Sequence, residues 1–209
     1  MSLVIYIKRF LPSWAINFLK SLKQIFRDKS NSVDDAPPVP HSAKQSVIRK
    51  YKNRYKINNL VETGTYLGDM VEAMREEFTT IYSVELDMKL FKMAEKRFAK
   101  SPHITILQGD SGKVLYDLVP KLNATTLFWL DGHYSHGITA KGDTECPIYE
   151  ELGAIVQSNF GHVLLIDDAH CFNGMGDYPT IEALTQFISK HKNISEQIIE
   201  HDIICIVLD

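Results

Sequence analysis

The stretch Val61-Glu62-Thr63-Gly64-Thr65-Tyr66-Leu67-Gly68, answered by Tyr82-Ser83-Val84-Glu85, restricts the fold more than any other part of the chain. The first segment reads as a strand end, a glycine turn and a helix start. The second reads as a strand closing on an acid. Such a unit is how α/β folds hold a nucleoside-bearing cofactor: the glycines let the backbone approach closely, and the acid accepts ribose hydroxyls. The turn is not G-x-G-x-x-G, because Tyr66 and Asp69 stand where that pattern, started at Gly64, needs glycine. It is acid-x-Gly-x-x-x-Gly, carried by Glu62, Gly64 and Gly68. That variant points away from a dinucleotide and toward a nucleoside cofactor with no pyrophosphate to cradle.

The surrounding pattern alternates. Strands are expected over residues 59–63, 80–86, 104–107, 125–130, 162–166, 197–199 and 203–208, and helices over 42–56, 67–78, 88–100, 113–119, 148–158 and 180–190. Alternation of this kind means an α/β, Rossmann-like, doubly wound and mostly parallel seven-stranded sheet, here with an antiparallel C-terminal strand and N-terminal helices in front. The strand cores TLFWL and HVLLI are continuously apolar, as strands covered on both faces should be. A length of 209 residues fits one globular domain plus appendages. The domain is assigned to residues 41–209, and residues 1–40 to an amphipathic basic helix with a Pro-rich linker.

Ligands of open α/β sheets bind beyond the carboxyl ends of the strands. The residues there are Glu62-Thr63-Gly64, Glu85, Gly109-Asp110-Ser111, Asp131-Gly132-His133 and Asp167-Asp168-Ala169-His170, so five successive strand ends carry an acid. Glu85, with Leu86 beside it, is placed to accept two ribose hydroxyls. Asp110 and Ser111 either meet an adenine edge or cap the next helix, a role Asp and Ser favour. Glu62 either orders the glycine turn or meets the amino-acid part of the cofactor. Thr65 and Tyr66 offer further contacts, with the Tyr66 side chain expected to narrow the turn.

Asp131, Asp167 and Asp168 converge from two neighbouring strand ends. Like charges packed together are costly unless a cation or proton neutralises them. A hard divalent ion such as Mg²⁺ is one neutraliser; His133 and His170 would add softer ligands or act as general bases. The plain alternative is helix-capping acids and solvated histidines. Cys171 beside His170 is not read as a nucleophile pair, because sequence neighbours seldom reach that geometry. Residues 134–147 form a long polar connection, read as a lid or substrate wall.

Charge is split along the chain. Residues 1–56 balance to +9 and the remainder to -12. A basic arm on an acidic body suggests an anionic partner. Residues 3–27 have amphipathic helical spacing with aromatic residues, suited to a membrane interface or to packing on the chain's own domain or on a second subunit. An acidic body without an aromatic-rich basic groove argues against nucleic acid. Three cysteines with no paired spacing and no apolar run of spanning length lead to the expectation of a cytoplasmic protein, peripheral at the inner face of the membrane if the arm binds lipid.

The succession VETGTYLG, VELD, GDS, WLDGH and LLIDDAH resembles the motifs of class I S-adenosylmethionine-dependent methyltransferases over residues 57–209. The acids after the fourth and fifth strands are similar to those of metal-dependent O-methyltransferases of the catechol and macrocin types. The resemblance implies S-adenosylmethionine as cofactor, a divalent ion on Asp131, Asp167 and Asp168, and O-methylation of a hydroxylated small molecule or glycan, with a weak association to surface-polysaccharide biosynthesis. It departs from the catechol type at Asp168, where that type has Asn, and in lacking an evident lysine base after Asp131, a place His133 would fill. Two other readings compete: a catalytically silent nucleoside-binding domain docked through its basic arm, and another metal-dependent enzyme built on the same acids.

Overall fold

The computed structural model describes residues 39–132 and 146–209. Helix α1 (His41–Tyr55) precedes the alternation β1 (Asn59–Thr63), α2 (Asp69–Met74), β2 (Thr80–Glu85), α3 (Met88–Phe98), β3 (Ile104–Gln108), α4 (Ser111–Leu118), β4 (Thr126–Leu130), α5 (Ile148–Ile155), β5 (Val163–Ile166), α6 (Ile181–Ser189), β6 (Ile194–Glu200) and β7 (Ile203–Leu208). The seven strands form one sheet in the order β3-β2-β1-β4-β5-β7-β6. Every pairing is parallel except those of β7, which runs antiparallel to both neighbours. The expected architecture is therefore the observed one.

Alternate residues of the same strand supply two separate cores. Val61, Phe128, Leu130, Leu164, Ile166, Ile204 and Ile206 face Leu115, Leu152, Leu184 and Ile188 of α4, α5 and α6. Leu60, Leu127, Trp129, Val163, Leu165, Ile203 and Cys205 face Val47, Ile48, Tyr51, Val71, Met74 and Phe98 of α1, α2 and α3. Period-two side-chain alternation on strands buried on both sides accounts for the unbroken apolar runs.

Two elements depart most from their expected spans. Helix α2 is shorter than residues 67–78: Gly68 adopts a left-handed conformation (φ 79°) and starts it two residues later, and it ends at Met74. Strand β6 is longer than 197–199. It is an edge strand paired only with β7, and its polar residues mask the alternation.

The order in which strands are added reverses between β1 and β4, which are adjacent although the chain visits β2 and β3 between them. Register aligns Thr63 with Val84 and with Leu130, Glu85 with Gln108, and Leu130 with Ile166. The strand-end acids consequently share one rim, at the switch point where open α/β sheets bind ligands. No helix among the described residues is long and apolar enough to cross a membrane.

Candidate functional site

The glycine turn is the centre of the rim. Backbone N–H groups of Gly64 and Thr65 donate to the Val84 carbonyl at 2.9 and 3.2 Å, tying the turn to β2. Gly64 has φ 84°, and a Cβ there would lie 2.3 Å from the Asp131 carbonyl oxygen. Only glycine lets β1's turn pass this close to the end of β4. Tyr66 is also left-handed (φ 50°). Its N–H donates to Glu85 Oε2 at 2.7 Å while the residue stays 43% exposed, so Tyr66 supplies a backbone contact to the turn.

Glu85 is buried and accepts from two backbone amides, Tyr66 through Oε2 and Asp87 through Oε1 (2.8 Å). Burial pushes its pKa above the ordinary carboxylate value, and the two amides oppose that shift. A carboxylate has about four acceptor positions, so lone pairs remain for ribose hydroxyls. Leu86 is half-buried beside it, with its carbonyl accepting from Gln108 Nε2 at 3.0 Å.

Glu62 lies beneath the turn. Ser83 Oγ donates to its Oε2, and Thr65 Oγ1 lies 2.6 Å from Ser83 Oγ, completing a buried chain from β1 through β2 to the turn. Burial pushes the Glu62 pKa up to about 8, with Asp131 and Glu85 adding to the rise. These contacts order the turn, the first of the two roles open to Glu62. Asp110 caps α4, accepting from Gly112 N at 3.0 Å, and pairs with Lys113 at 3.4 Å. Ser111 is buried beside Gly132, where an added Cβ would lie 3.2 Å from Ser111 Oγ and 3.0 Å from Thr63 Oγ1. The ends of β1, β3 and β4 thus pack together behind the turn.

The β4–β5 side is built differently. Asp131 N donates to Thr63 O (3.2 Å) and Asp167 N to Leu130 O (3.0 Å), which places both acids on the rim. Asp167 is buried and its Oδ2 accepts from the ammonium of Lys44, in the first turn of α1; the same ammonium lies 3.5 Å from Asp168 Oδ1. The other Asp167 oxygen is buried with no hydrogen-bond partner among the described residues. Burial and the charge of Asp168 push the Asp167 pKa up against the pull of Lys44. Burial also pulls Lys44 down, but Asp167, Asp168 and Asp131 outweigh it and hold the ammonium protonated. Lys44 was missed in the sequence, where it is one basic residue among many, 123 positions from Asp167.

His170 is exposed and fixed by Asp202 in the β6–β7 turn: its Nδ1 lies 2.6 Å from Asp202 Oδ2, and its N–H donates to Asp202 Oδ1 at 2.9 Å. Its Nε2 lies 3.4 Å from Cys171 Sγ, so the neighbouring pair does touch, contrary to expectation. The thiol is nevertheless pushed up to about 11 by burial and by Asp168, Asp202 and Asp167, which keeps it protonated and non-nucleophilic. His133 and the 134–145 part of the expected lid lie outside the described residues, as does the 3–27 segment.

Mg²⁺ would suit the all-oxygen chemistry of Asp131, Asp167 and Asp168. Among the described residues, however, the set that gathers three ligand atoms within 4.8 Å of one another is Asp168, His170 and Asp202. Asp167 is engaged by Lys44 instead. The arrangement does not fit a divalent ion on the three expected acids.

No protein-family model and no curated protein sequence matches the chain. Solved structures do. The O-methyltransferase TomG of Streptomyces achromogenes, solved with SAM, is 14% identical, with 83% of each chain covered and a TM-score of 0.56. An O-methyltransferase of Bacillus cereus, solved with SAH, is 12% identical, covering 91% of this chain and 89% of that one, at 0.58. The N-methyltransferase NodS of Bradyrhizobium japonicum, solved with S-adenosyl-L-homocysteine, is 13% identical, covering 88% and 96%, at 0.55. At such identities the likeness establishes the fold. The chain has the Rossmann-like fold of the S-adenosylmethionine-dependent methyltransferases.

Proposed function

We propose that the protein is an S-adenosylmethionine-dependent methyltransferase acting on a hydroxyl oxygen of a small molecule or glycan. The observation that carries this reading is the 64–66 turn, bonded to the buried Glu85 on one side and in contact with Asp131 on the other. A nucleoside with a short charged tail fits there: ribose on the remaining lone pairs of Glu85, and the sulfonium toward the acids after β4.

In the reaction the acceptor oxygen attacks the sulfonium methyl. The O–C bond forms as the C–S bond breaks, sulfur keeps the electron pair, and the hydroxyl proton passes to a base on the rim. We assign that role to Asp131 or to His170, whose ring is bonded to Asp202, with His133 following Asp131 in the sequence as a further candidate. Most of the acceleration would come from positioning and fixed electrostatics.

Calorimetric titration with S-adenosylmethionine tests the reading directly. Binding with a dissociation constant in the micromolar range, about -8 kcal/mol, is expected. No heat, and no thermal stabilisation by millimolar cofactor, would remove the methyltransferase reading.

A further inference from the structure

We propose that the Lys44 ammonium is the resident cation of the carboxylates after β5, in the place where a divalent ion was expected. Four observations converge on it. Lys44 Nζ is bonded to Asp167 Oδ2 and lies 3.5 Å from Asp168 Oδ1, with the Lys44 side chain only 17% exposed and that of Asp167 2%. A buried carboxylate needs a partner of opposite charge, and Lys44 supplies it.

The second observation is the rigidity of the lysine's support. Val47, Ile48 and Tyr51 bury α1 against the sheet, and Arg49–Glu77 (3.0 Å), Lys50–Glu200 (2.7 Å) and Arg54–Glu196 (2.7 Å) tie its outer face to the domain. Third, a lysine in the first turn of a helix opposes the helix dipole, and no acid accompanies it there. A locally unfavourable charge at a fixed position fits compensation at a site. Fourth, the described three-ligand set shares Asp168 with Lys44 and has His170 already bonded to Asp202.

The catalytic consequence, which rests on the methyltransferase reading, is that Lys44 is a positioning residue. It keeps Asp167 and Asp168 oriented at the acceptor side, and turnover needs no added metal.

Titration of the whole 209-residue chain with Mn²⁺, followed by electron paramagnetic resonance, tests this independently of activity. Wild type is expected to bind Mn²⁺ at least about tenfold more weakly than Lys44→Met, since removing a like charge a few ångströms away favours a second cation. Adding Asp167→Asn to that variant should abolish the gain. Thermal melting of wild type should be unchanged by EDTA, a measurement that decides the matter alone if Lys44→Met does not fold. Wild type binding Mn²⁺ as tightly as a folded Lys44→Met, or melting earlier in EDTA, overturns the proposal. A parallel S-adenosylmethionine titration separates the two failures: absent cofactor binding sinks the methyltransferase reading and leaves the cation result standing.

Discussion

The two halves of the rim satisfy their acids in opposite ways. On the β1–β3 side, Glu62 and Glu85 are met by the hydroxyl of Ser83 and the amides of Tyr66 and Asp87, all within about one strand–turn–helix unit. On the β4–β5 side, Asp167 is met by an ammonium from a helix that precedes the whole sheet. Neutral donors leave a carboxylate able to accept further hydrogen bonds, which suits a pocket for sugar hydroxyls. A full positive charge sets orientation and local potential, which suits a place where a substrate loses a proton. Under the proposed methyltransferase reading, cofactor recognition falls to the first half and acceptor chemistry to the second.

The joint between the halves is Gly64, so substituting it should damage both. In Gly64→Ala a methyl would meet the Asp131 carbonyl in a backbone conformation that disfavours side chains. We expect about 2–4 kcal/mol of lost stability together with lost S-adenosylmethionine binding, measured by denaturant unfolding and by calorimetry. A folded Gly64→Ala protein with unchanged affinity would show that the halves are not joined through this turn.

A smaller effect should be confined to the first half. Glu85→Gln replaces an acceptor pair by one acceptor and one donor, so either the Tyr66 or the Asp87 amide loses its partner. An amide left without its partner there costs about 1–3 kcal/mol of stability, and the lost ribose acceptor should raise the cofactor dissociation constant roughly tenfold or more, about 1.4 kcal/mol per factor of ten. Mn²⁺ affinity should not move. A loss of cofactor affinity as large in Lys44→Met as in Glu85→Gln would break the division of labour.

That division also explains what could be read from the chain. The β1–β3 half is local: a glycine turn, a strand and an acid lie within about 25 residues, and their physical requirements leave a visible pattern. The strands were legible for a similar reason, because burial on both faces writes unbroken apolar runs such as 127–130. The second half depends on pairings over long separations. Lys44 meets Asp167, and Asp202 meets His170, with nothing in the intervening sequence to single them out. Likewise the basic residues of α1 suggested an anionic partner, but Arg49, Lys50, Lys52 and Arg54 face Glu77, Glu200 and Glu196 of their own domain. Exposed pairs of this kind contribute little to stability, because solvent screens them. They show which acids the charges face and locate α1 over the sheet.

The mildest test falls on Glu62, where the first half carries a carboxyl that burial keeps protonated near neutrality. Its folded pKa of about 8 lies above the ordinary carboxylate value, so the native state binds more protons than the unfolded chain between the two. Stability from this group is therefore fully present below the unfolded pKa and is lost as pH rises through about 8. Glu62→Gln, uncharged at every pH, should melt within a few degrees of wild type at pH 6, about 1 kcal/mol or less for a domain this size, and should overtake it by pH 9. Differential scanning calorimetry across that range reads the slope. Parallel pH profiles for the two proteins would mean that Glu62 is already ionised in the folded state. The Ser83–Thr65 chain would then be holding a charge, as Lys44 does on the other side, and the contrast between the halves would narrow to the identity of the donor.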